Sequence, residues 1–264
     1  MIFSKLNGSV MHWAASGRPD APAIIFVNSL GTDFRIWDGV TARLGDRYRC
    51  VTYDKRGHGL SELTPGPYSI DLLTGDVLAL ADANGLKRFV LVGLSVGGLI
   101  AQAVAIRAPE RLRALVLCDT VSRHGSAEIW AARIGAIETG GLDSIADGIM
   151  KVWFTEKLRS QRPDELLGWR NMLTRTPAAG YIAMCGALRD TDLTAAVARI
   201  ATPTLAVAGD EDGSTPPAQV KASAERIPGA RFELIAGAGH LPCIEQPVAL
   251  AQLIDHHVTE AARA

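Results

Sequence analysis

The sequence predicts an α/β fold in which a mostly parallel β-sheet carries helices on both faces, with a cap of helices inserted between two strands. Two observations predict this class. Short, almost uninterrupted apolar runs alternate with segments of helical periodicity, a pattern typical of strands that are covered on both faces. One stretch of roughly seventy residues then has helical segments alone, more than the dozen or so residues that a plain crossover between parallel strands requires.

Composition and charge limit the possible functions before any motif is considered. The chain has 264 residues, of which 48% are hydrophobic and 21% charged, so it can bury a large core and is not a disordered protein. Its formal net charge of -1 lacks the basic excess of a protein that binds nucleic acid or anionic membranes. No apolar run approaches the roughly 20 residues of a membrane span, and no secretory signal is visible, so we expect a cytoplasmic protein.

The four cysteines do not form a metal-binding pattern. Cys50, Cys118, Cys185 and Cys243 lie far apart and include no Cys-x-x-Cys pair, so we expect no zinc site from them. Most of them lie in apolar segments, where a buried thiol acts as a small hydrophobic side chain.

The secondary-structure elements follow one another in a regular order. Strands at 2–5 and 10–14 form a hairpin around Asn7-Gly8, a pair suited to a two-residue turn. The other predicted strands are 23–28, 48–54, 89–94, 112–119, 203–210 and 231–236. The helical segments that alternate with them are 36–44, 69–84, 97–108, 218–227 and 248–261. This alternation implies right-handed crossovers and therefore a mostly parallel sheet.

The stretch without strands predicts a separate helical cap. Its amphipathic segments are 127–138, 142–154, 164–174 and 178–188. We therefore divide the chain into an α/β core, 1–121 and 195–264, and a cap, 122–194. Such a cap would lie over the carboxyl ends of the strands, where open α/β sheets bind ligands.

The sharpest motif is Gly93-Leu94-Ser95-Val96-Gly97-Gly98, which follows a predicted strand and opens a predicted helix. This is the Gly-x-Ser-x-Gly nucleophile elbow in the strand–turn–helix context that it requires. A turn this tight strains the serine backbone and exposes its hydroxyl, and side chains at Gly93 and Gly97 would collide with neighbouring backbone. We predict that Ser95 is a catalytic nucleophile.

A serine nucleophile needs a base, and the base needs an acid partner. Among the six histidines, His240 directly follows the last predicted strand, at the sheet edge where Ser95 should emerge. Asp212 follows the preceding strand at the same edge, so the chain order is Ser, Asp, His. His58 remains an alternative base. Asp210 and Asp119 remain alternative acids, with Asp210 favoured as a brace of the loop backbone.

An oxyanion hole needs two backbone N–H donors. One should be the amide of Val96, which follows the nucleophile at the start of a helix. The other should come from the loop Asn28-Ser29-Leu30-Gly31, and we assign it to the amide of Leu30.

With these motifs the chain resembles the α/β-hydrolases, and among them the 3-oxoadipate enol-lactonases, over nearly its whole length. Three features are common to the superfamily: the elbow around Ser95, the loop that carries Asp212 (the acid loop, GDEDGSTPP) and the loop that carries His240 (the histidine loop, GAGHLPCIEQP). The cap segment and the Asn28-Ser29 loop carry the narrower resemblance, since many superfamily members have His-Gly at this loop position. The matching segments are VNSLGTDFRIWD, TYDKRGHGLSE, LVGLSVGGLIAQ, KVWFTE, GYIAMCGALRDTDL, GDEDGSTPP and GAGHLPCIEQP.

The resemblance implies an α/β-hydrolase fold and the hydrolysis of 3-oxoadipate enol-lactone to 3-oxoadipate in the bacterial breakdown of protocatechuate and catechol. Ser95 would attack the lactone carbonyl with His240 as base, and neither a metal nor an organic cofactor would be needed. The expected partner is this small carboxylated lactone, with no nucleic acid and no membrane. Nothing in the sequence predicts an oligomeric state.

The carboxylate of such a substrate calls for a cation in the pocket. Two cap arginines, Arg133 and Arg189, are the candidates, although Arg189 could instead pair with Asp190 or Asp192. Arg133 lies one helical turn after Trp130, which places both on the same face. Trp130 and Trp153 are expected to wall the pocket, with packing inside the cap as the alternative.

Two other functions remain open at this point. One is a carboxylesterase or perhydrolase of the same fold that acts on a neutral substrate. The other is a ligand receptor of the hydrolase fold that binds without turnover. Haloalkane dehalogenation is disfavoured, because that reaction needs a carboxylate nucleophile where Ser95 stands.

Overall fold

The computed structural model describes residues 1–263 and contains an eight-stranded sheet in the order β1-β2-β4-β3-β5-β6-β7-β8. From β3 onward, every neighbouring pair is parallel, while β2 runs antiparallel to β1 and to β4. This confirms the mostly parallel sheet. The strands are β1 (Ile2–Leu6), β2 (Ser9–Gly17), β3 (Ala23–Val27), β4 (Arg49–Tyr53), β5 (Phe89–Leu94), β6 (Leu112–Cys118), β7 (Thr204–Gly209) and β8 (Arg231–Ile235).

The hairpin and the central strands form for the reasons that the sequence indicates. Asn7 and Gly8 both have positive φ, 46° and 76°, as a tight turn between right-twisted strands requires. Every residue of β3, β5 and β7 is buried, which explains why these runs are apolar throughout rather than alternating. β8 lies at the sheet edge and is mostly exposed.

Helices of the core connect the strands and cover the sheet. α2 packs against α3, and α1 packs against α11. Ser69 caps α2 by accepting a hydrogen bond from the amide of Leu72, which satisfies one free donor of the first turn. The short α10 was not predicted, and the region predicted as a helix from residue 36 begins with a 3₁₀ turn, Phe34–Trp37. The core helices are α1 (Asp38–Leu44), α2 (Ile70–Ala83), α3 (Val96–Arg107), α9 (Pro217–Ala224), α10 (Pro242–Glu245) and α11 (Pro247–Ala261).

Five helices lie between β6 and β7, where the cap is predicted. They are α4 (Ala127–Gly140), α5 (Asp143–Trp153), α6 (Glu156–Gln161), α7 (Pro163–Thr174) and α8 (Ala178–Asp190). α4 packs against both α8 and α5, and α5 packs against α7. Four of the five match predicted segments; α6 is short and polar, so it has no apolar stripe to detect. The cap boundaries at 122 and 194 stay a prediction.

No helix within residues 1–263 is long and apolar enough to cross a lipid bilayer.

Candidate active site

Ser95 lies in a strained turn between β5 and α3. Its φ is 57° and its ψ is -119°, a conformation that costs a non-glycine residue about 1–3 kcal/mol. A Cβ on Gly93 would lie 2.3 Å from the carbonyl oxygen of Gly97, and a Cβ on Gly97 would lie 2.1 Å from that of Val27. Both glycines are therefore required, because the elbow passes so close to its own helix and to the end of β3.

The parallel strands bring four functional candidates to one edge of the sheet. The Ser95 amide donates to the carbonyl of Cys118 over 2.9 Å, and the Asp119 amide donates to that of Val207 over 2.8 Å. Asp212 follows β7, and His240 follows its neighbour β8. Because the carboxyl ends of parallel strands share an edge, Ser95, Asp119, Asp212 and His240 all lie there.

Asp212 and His240 are directly joined. Oδ2 of Asp212 lies 2.9 Å from Nδ1 of His240, and both side chains are buried. The other oxygen, Oδ1, accepts hydrogen bonds from the amides of Ser214 at 2.7 Å and Thr215 at 3.0 Å. The carboxylate is therefore held by its own loop, and its free oxygen orients the imidazole so that Nε2 remains available.

Electrostatics separate the two acids at this edge. Burial opposes ionisation of Asp212, but His240 and the amides of Thr215 and Ser214 hold the pKa of its carboxyl below the ordinary value. Burial, and then the nearby charge of Asp212, raises the pKa of Asp119 well above its ordinary value. The two pKa shifts are opposite, so the site favours the carboxylate form of Asp212 and the protonated form of Asp119.

The alternative acids have other partners. Oδ1 of Asp119 accepts the amide of Gly209 at 2.8 Å, and its Oδ2 is buried without a hydrogen-bond partner among the described residues. Oδ1 of Asp210 accepts the amide of Gly237 at 2.8 Å, so this carboxylate braces the start of the histidine loop. Neither is hydrogen bonded to His240, which distinguishes both from Asp212.

The alternative base, His58, has no acid partner among residues 1–263. Its Nδ1 lies 3.3 Å from the carbonyl oxygen of Arg56, and its Nε2 is buried and unpartnered within residues 1–263. Burial, and then the charge of Lys55, lowers the pKa of His58 well below its ordinary value. A second histidine, His12, pairs with Asp54 at 2.7 Å, but β4 and β3 separate its strand from β5.

Hydrogen bonds link the backbone of Ser95 to Thr120 and Thr120 to His124. Oγ1 of Thr120 donates to the carbonyl of Ser95 at 2.7 Å and lies 3.1 Å from Nε2 of His124. Burial, and then the neighbouring His240, lowers the pKa of His124 to about 3. No hydrogen bond joins Oγ of Ser95 to His240 in the described part of the chain. Such bonds commonly form only when substrate is bound.

The two amides that the sequence predicts as oxyanion donors, those of Leu30 and Val96, have no hydrogen-bond acceptor among residues 1–263. Val96 begins α3, and the first amides of a helix have no partner within it. Leu30 follows β3 in the loop that the elbow contacts, and its amide donates to no group of residues 1–263. Both residues are buried, so a negative charge placed between the amides would be shielded from water.

The structure separates the two candidate cap arginines. Arg133 is half-buried, with its guanidinium 5.1 Å from the centre of the Trp130 ring, and it has no ion-pair partner within residues 1–263. Arg189 lies at the exposed end of α8 and binds both carboxylate oxygens of Asp190, at 2.7 and 2.8 Å. Arg189 thus adopts the alternative that the sequence left open, and it does not join the other candidates.

The two tryptophans are buried in different ways. Nε1 of Trp130 donates to the carbonyl of His124 over 2.5 Å, so this ring connects α4 to the segment next to Ser95. Trp153 ends α5, and its carbonyl oxygen accepts the amide of His240 at 2.8 Å. The cap therefore contacts the histidine loop directly.

Sequence reasoning missed a carboxylate that joins the cap to this loop. Oε2 of Glu245 accepts the amide of Gly239 at 2.8 Å, and Oε1 accepts the hydroxyl of Thr155 at 2.6 Å. Burial raises the pKa of Glu245 above its ordinary value, although these hydrogen bonds oppose the effect. Glu245 lies five residues after His240, but nothing in the sequence indicates its partner in the cap.

Asp119, Asp212 and His240 are the one group in the described chain whose spacing could suit a metal, with ligand atoms within 4.8 Å of one another. A metal would have to displace the hydrogen bond between Asp212 and His240 and ionise Asp119. The raised pKa of Asp119 disfavours the second change. The donor set therefore fits a hydrogen-bonded pair better than a metal site.

Comparison with known proteins gives consistent matches. The model of the alpha/beta hydrolase family matches residues 24–253. The chain is 35% identical to 3-oxoadipate enol-lactonase 2 of Acinetobacter baylyi, over 93% of this chain and 91% of that protein. It superposes on an enol-lactonase from Burkholderia xenovorans LB400 with a TM-score of 0.95 and 36% identity, covering 98% and 100% of the two chains. A thermophilic esterase from Thermogutta terrifontis, with malate bound, gives a TM-score of 0.93 at 28% identity, covering 99% of both chains.

Proposed function

The chain belongs to the alpha/beta hydrolase family, and from that premise we propose that it hydrolyses 3-oxoadipate enol-lactone to 3-oxoadipate, with Ser95, His240 and Asp212 as its catalytic residues. The observation that carries the proposal is the buried hydrogen bond between Asp212 and His240 at the sheet edge where the strained Ser95 lies. The similarity to two enol-lactonases supports the choice of a lactone. The reaction belongs to bacterial aromatic-compound catabolism in the cytoplasm.

The mechanism follows from the hydrogen-bonding groups at this edge. Oγ of Ser95 attacks the lactone carbonyl while Nε2 of His240 takes its proton, and Asp212 stabilises the resulting imidazolium. The Leu30 and Val96 amides bind the oxyanion of the tetrahedral intermediate. Cleavage of the carbon–oxygen ring bond releases an enolate, which is protonated and becomes the ketone.

Water completes the cycle. The opened product remains attached to Ser95 as an acyl ester after the first step. The proton that His240 took from Ser95 passes to the enolate, so the imidazole is neutral again before the second step. His240 then removes a proton from a water molecule, whose oxygen attacks the ester carbonyl, and the bond to Oγ of Ser95 breaks as Oγ regains a proton from His240. The released acid loses its proton to solvent and leaves as the carboxylate.

Arg133 is the residue that we assign to the substrate carboxylate. Its guanidinium lies over Trp130 and beside Tyr181, and no carboxylate of the described chain neutralises it. A half-buried arginine that has no carboxylate partner of its own can form a bidentate hydrogen bond to the carboxylate of a substrate. Trp130 contributes apolar surface beside it, and we assign Trp153 to the wall of the same pocket.

A carboxylesterase acting on neutral esters is the second candidate, and the similarity to the Thermogutta esterase favours it. The catalytic residues would be the same, because ester and lactone hydrolysis share their intermediates. The two candidates differ only in whether a substrate carboxylate contributes to binding.

A direct comparison of substrates tests the proposal. Purified protein is assayed with the enol-lactone, by loss of its ultraviolet absorbance, and with p-nitrophenyl acetate. We expect a kcat/KM for the lactone at least about 100-fold above that for the ester, and loss of both activities in Ser95→Ala. Preference for the neutral ester would favour the carboxylesterase, and absence of both activities would overturn the hydrolase mechanism.

A further inference from the structure

We infer that Lys55 is a positioning residue of the oxyanion hole, whose buried ammonium orients and polarises the peptide group between Ser29 and Leu30. This inference rests on the proposed function, because it concerns the Leu30 amide as an oxyanion donor. Lys55 belongs to no part of the catalytic apparatus described above, and it does not touch the reacting atoms.

The hydrogen bond of Lys55 identifies its target. The side chain is fully buried, and Nζ donates to the carbonyl oxygen of Ser29 over 2.8 Å. This is its only hydrogen bond within the described residues, and no carboxylate there forms an ion pair with it. A buried charge is costly unless it is compensated, so a lysine that binds a single carbonyl oxygen in the core calls for an explanation.

Peptide geometry links this carbonyl to the oxyanion hole. The oxygen of Ser29 and the amide nitrogen of Leu30 belong to the same planar peptide group. The bond is trans, since the described chain has its one cis peptide at Gly66-Pro67. The N–H of a trans peptide points away from its C=O, so fixing the oxygen on Lys55 directs the Leu30 N–H to the opposite side.

The position of Lys55 in the fold makes this contact possible. Lys55 follows β4 by two residues, and β4 pairs with β3, which leads into the Ser29–Leu30 loop. Thr32 adds two neutral hydrogen bonds to the same oxygen, from Oγ1 at 2.9 Å and from its amide at 3.4 Å. The segments that follow two neighbouring strands thus bring a cationic donor from Lys55 and two neutral donors from Thr32 to one carbonyl.

The charge has an effect that a neutral brace would lack. An ammonium at the carbonyl oxygen withdraws electron density from the peptide group, which makes the Leu30 N–H a stronger donor. Burial lowers the pKa of Lys55 to about 7, while Asp54 and Asp33 partly oppose this effect. His58 is the other titratable group whose charge interacts with it. Below about pH 7 the site therefore holds a cation whose hydrogen-bond acceptor among the described residues is the Ser29 oxygen.

Two variants distinguish polarisation from simple bracing of the loop. Lys55→Met removes the charge and the donor, whereas the matched control Thr32→Val removes only the neutral hydroxyl donor to the same oxygen. With p-nitrophenyl acetate, we expect kcat to fall about 10- to 100-fold in Lys55→Met, since loss of a whole oxyanion donor costs about 10²–10³. KM should change less than about 2-fold, and Thr32→Val should lose less than about 3-fold.

A second readout follows the tetrahedral state itself. Phenylboronic acid forms a tetrahedral adduct with a serine nucleophile, so its affinity should fall in Lys55→Met by the same factor as kcat. The melting temperature of Lys55→Met should equal or exceed that of the wild type, because a buried charge is removed. If Lys55 were merely structural, Lys55→Met would instead lower the melting temperature and leave the boronate affinity per folded molecule unchanged.

The outcomes separate this inference from the proposed function. An active wild type with a fully active Lys55→Met, or with equal losses in both variants, overturns the inference alone. A wild type inactive on both the lactone and the ester overturns the proposed function, and the inference with it. If Lys55→Met does not fold, Lys55→Gln takes its place, because glutamine keeps a neutral donor but removes the charge. A folded Lys55→Gln with the kcat of the wild type would overturn the role of the charge.

Discussion

Asp212 binds Nδ1 of His240 through Oδ2 at 2.9 Å, whereas Asp119, which lies in the same cluster, leaves Oδ2 without a partner among the described residues. The difference follows from the loop after β7, whose amides hold the other oxygen of Asp212. The carboxyl with the lowered pKa therefore faces the imidazole, and the carboxyl with the raised pKa lies beside it. This asymmetry supports the sequence prediction of Asp212, rather than the alternative Asp119, as the acid partner of His240.

Replacing each acid by its amide tests that assignment. Asp212→Asn should lower kcat roughly 10³- to 10⁴-fold, because an amide cannot hold the tautomer of His240 that accepts the serine proton. Asp119→Asn is the matched control and should stay within about 3-fold of the wild type, since an amide resembles a neutral carboxylic acid. Steady-state kinetics with the enol-lactone measure both, and equal losses in the two variants would refute the assignment.

Arg133 should determine the preference for a carboxylated substrate. Arg133→Ala should raise KM for the enol-lactone at least about 10-fold, because a bidentate hydrogen bond to the carboxylate is lost. Its kcat/KM for p-nitrophenyl acetate should change less than about 2-fold, since that ester has no carboxylate. Steady-state kinetics of the variant and of the wild type with both substrates provide the measurement.

Two further arginines serve as comparisons. Arg170 is paired with Asp143 and Asp147 on the cap surface, so Arg170→Ala should leave both substrates unaffected. Arg189→Ala should do the same, because Asp190 already occupies its guanidinium. A loss of activity on the lactone alone in Arg189→Ala, without such a loss in Arg133→Ala, would show that the assignment of the carboxylate contact to Arg133 is wrong.

Glu245 should couple the cap to the histidine loop. Glu245→Ala leaves the buried amide of Gly239 without an acceptor, which should reduce the free energy of unfolding by about 1–3 kcal/mol. It should also lower kcat several-fold, because the backbone next to His240 loses an anchor. Denaturant unfolding and steady-state kinetics measure these effects.

The matched control is Glu211→Ala, an exposed carboxylate near Glu245. It should change the free energy of unfolding by less than about 0.5 kcal/mol, as is usual for exposed positions. Equal effects of the two substitutions would show that the bridge between Gly239 and Thr155 has no particular role.

Lys55 should give the wild type a distinctive pH dependence. Burial lowers the pKa of Lys55 to about 7, so the ammonium is present below that pH and is lost above it. The ratio of wild-type kcat to that of Lys55→Met should therefore decrease several-fold from about pH 6 to about pH 9. Taking the ratio cancels every pH effect that the two proteins share. A ratio that is constant over this range would contradict the polarising role of the charge.

The sequence predicted most of the fold because burial on both faces leaves a clear pattern. The bounds of β5 agree with the prediction, and β3, β6 and β7 differ by one residue at one end or both. The elbow could be predicted because steric crowding allows only glycine at Gly93 and Gly97. The hydrogen bond between Asp212 and His240 agrees with the predicted pairing, since the order of the strands brings both loops to one edge.

Side-chain partnerships across the cap could not be predicted in the same way. The spacing of Arg189 and Asp190 is compatible with an ion pair or with a substrate contact, and only the packing of α8 decides between them. Glu245 and Lys55 have partners 90 and 26 residues away along the chain. Lys55 also lies next to Arg56 in a polar stretch, where a solvated side chain is the usual expectation.

Covalent trapping tests the central claim, that Ser95 is a nucleophile activated by His240 and Asp212, most directly. Intact-protein and peptide mass spectrometry after exposure to phenylmethylsulfonyl fluoride should show one adduct per chain, located on Ser95. The adduct should be absent in Ser95→Ala and should form at least about 100-fold more slowly in His240→Ala. Full enol-lactone turnover by Ser95→Ala, or modification at unchanged rate in His240→Ala, would contradict the account.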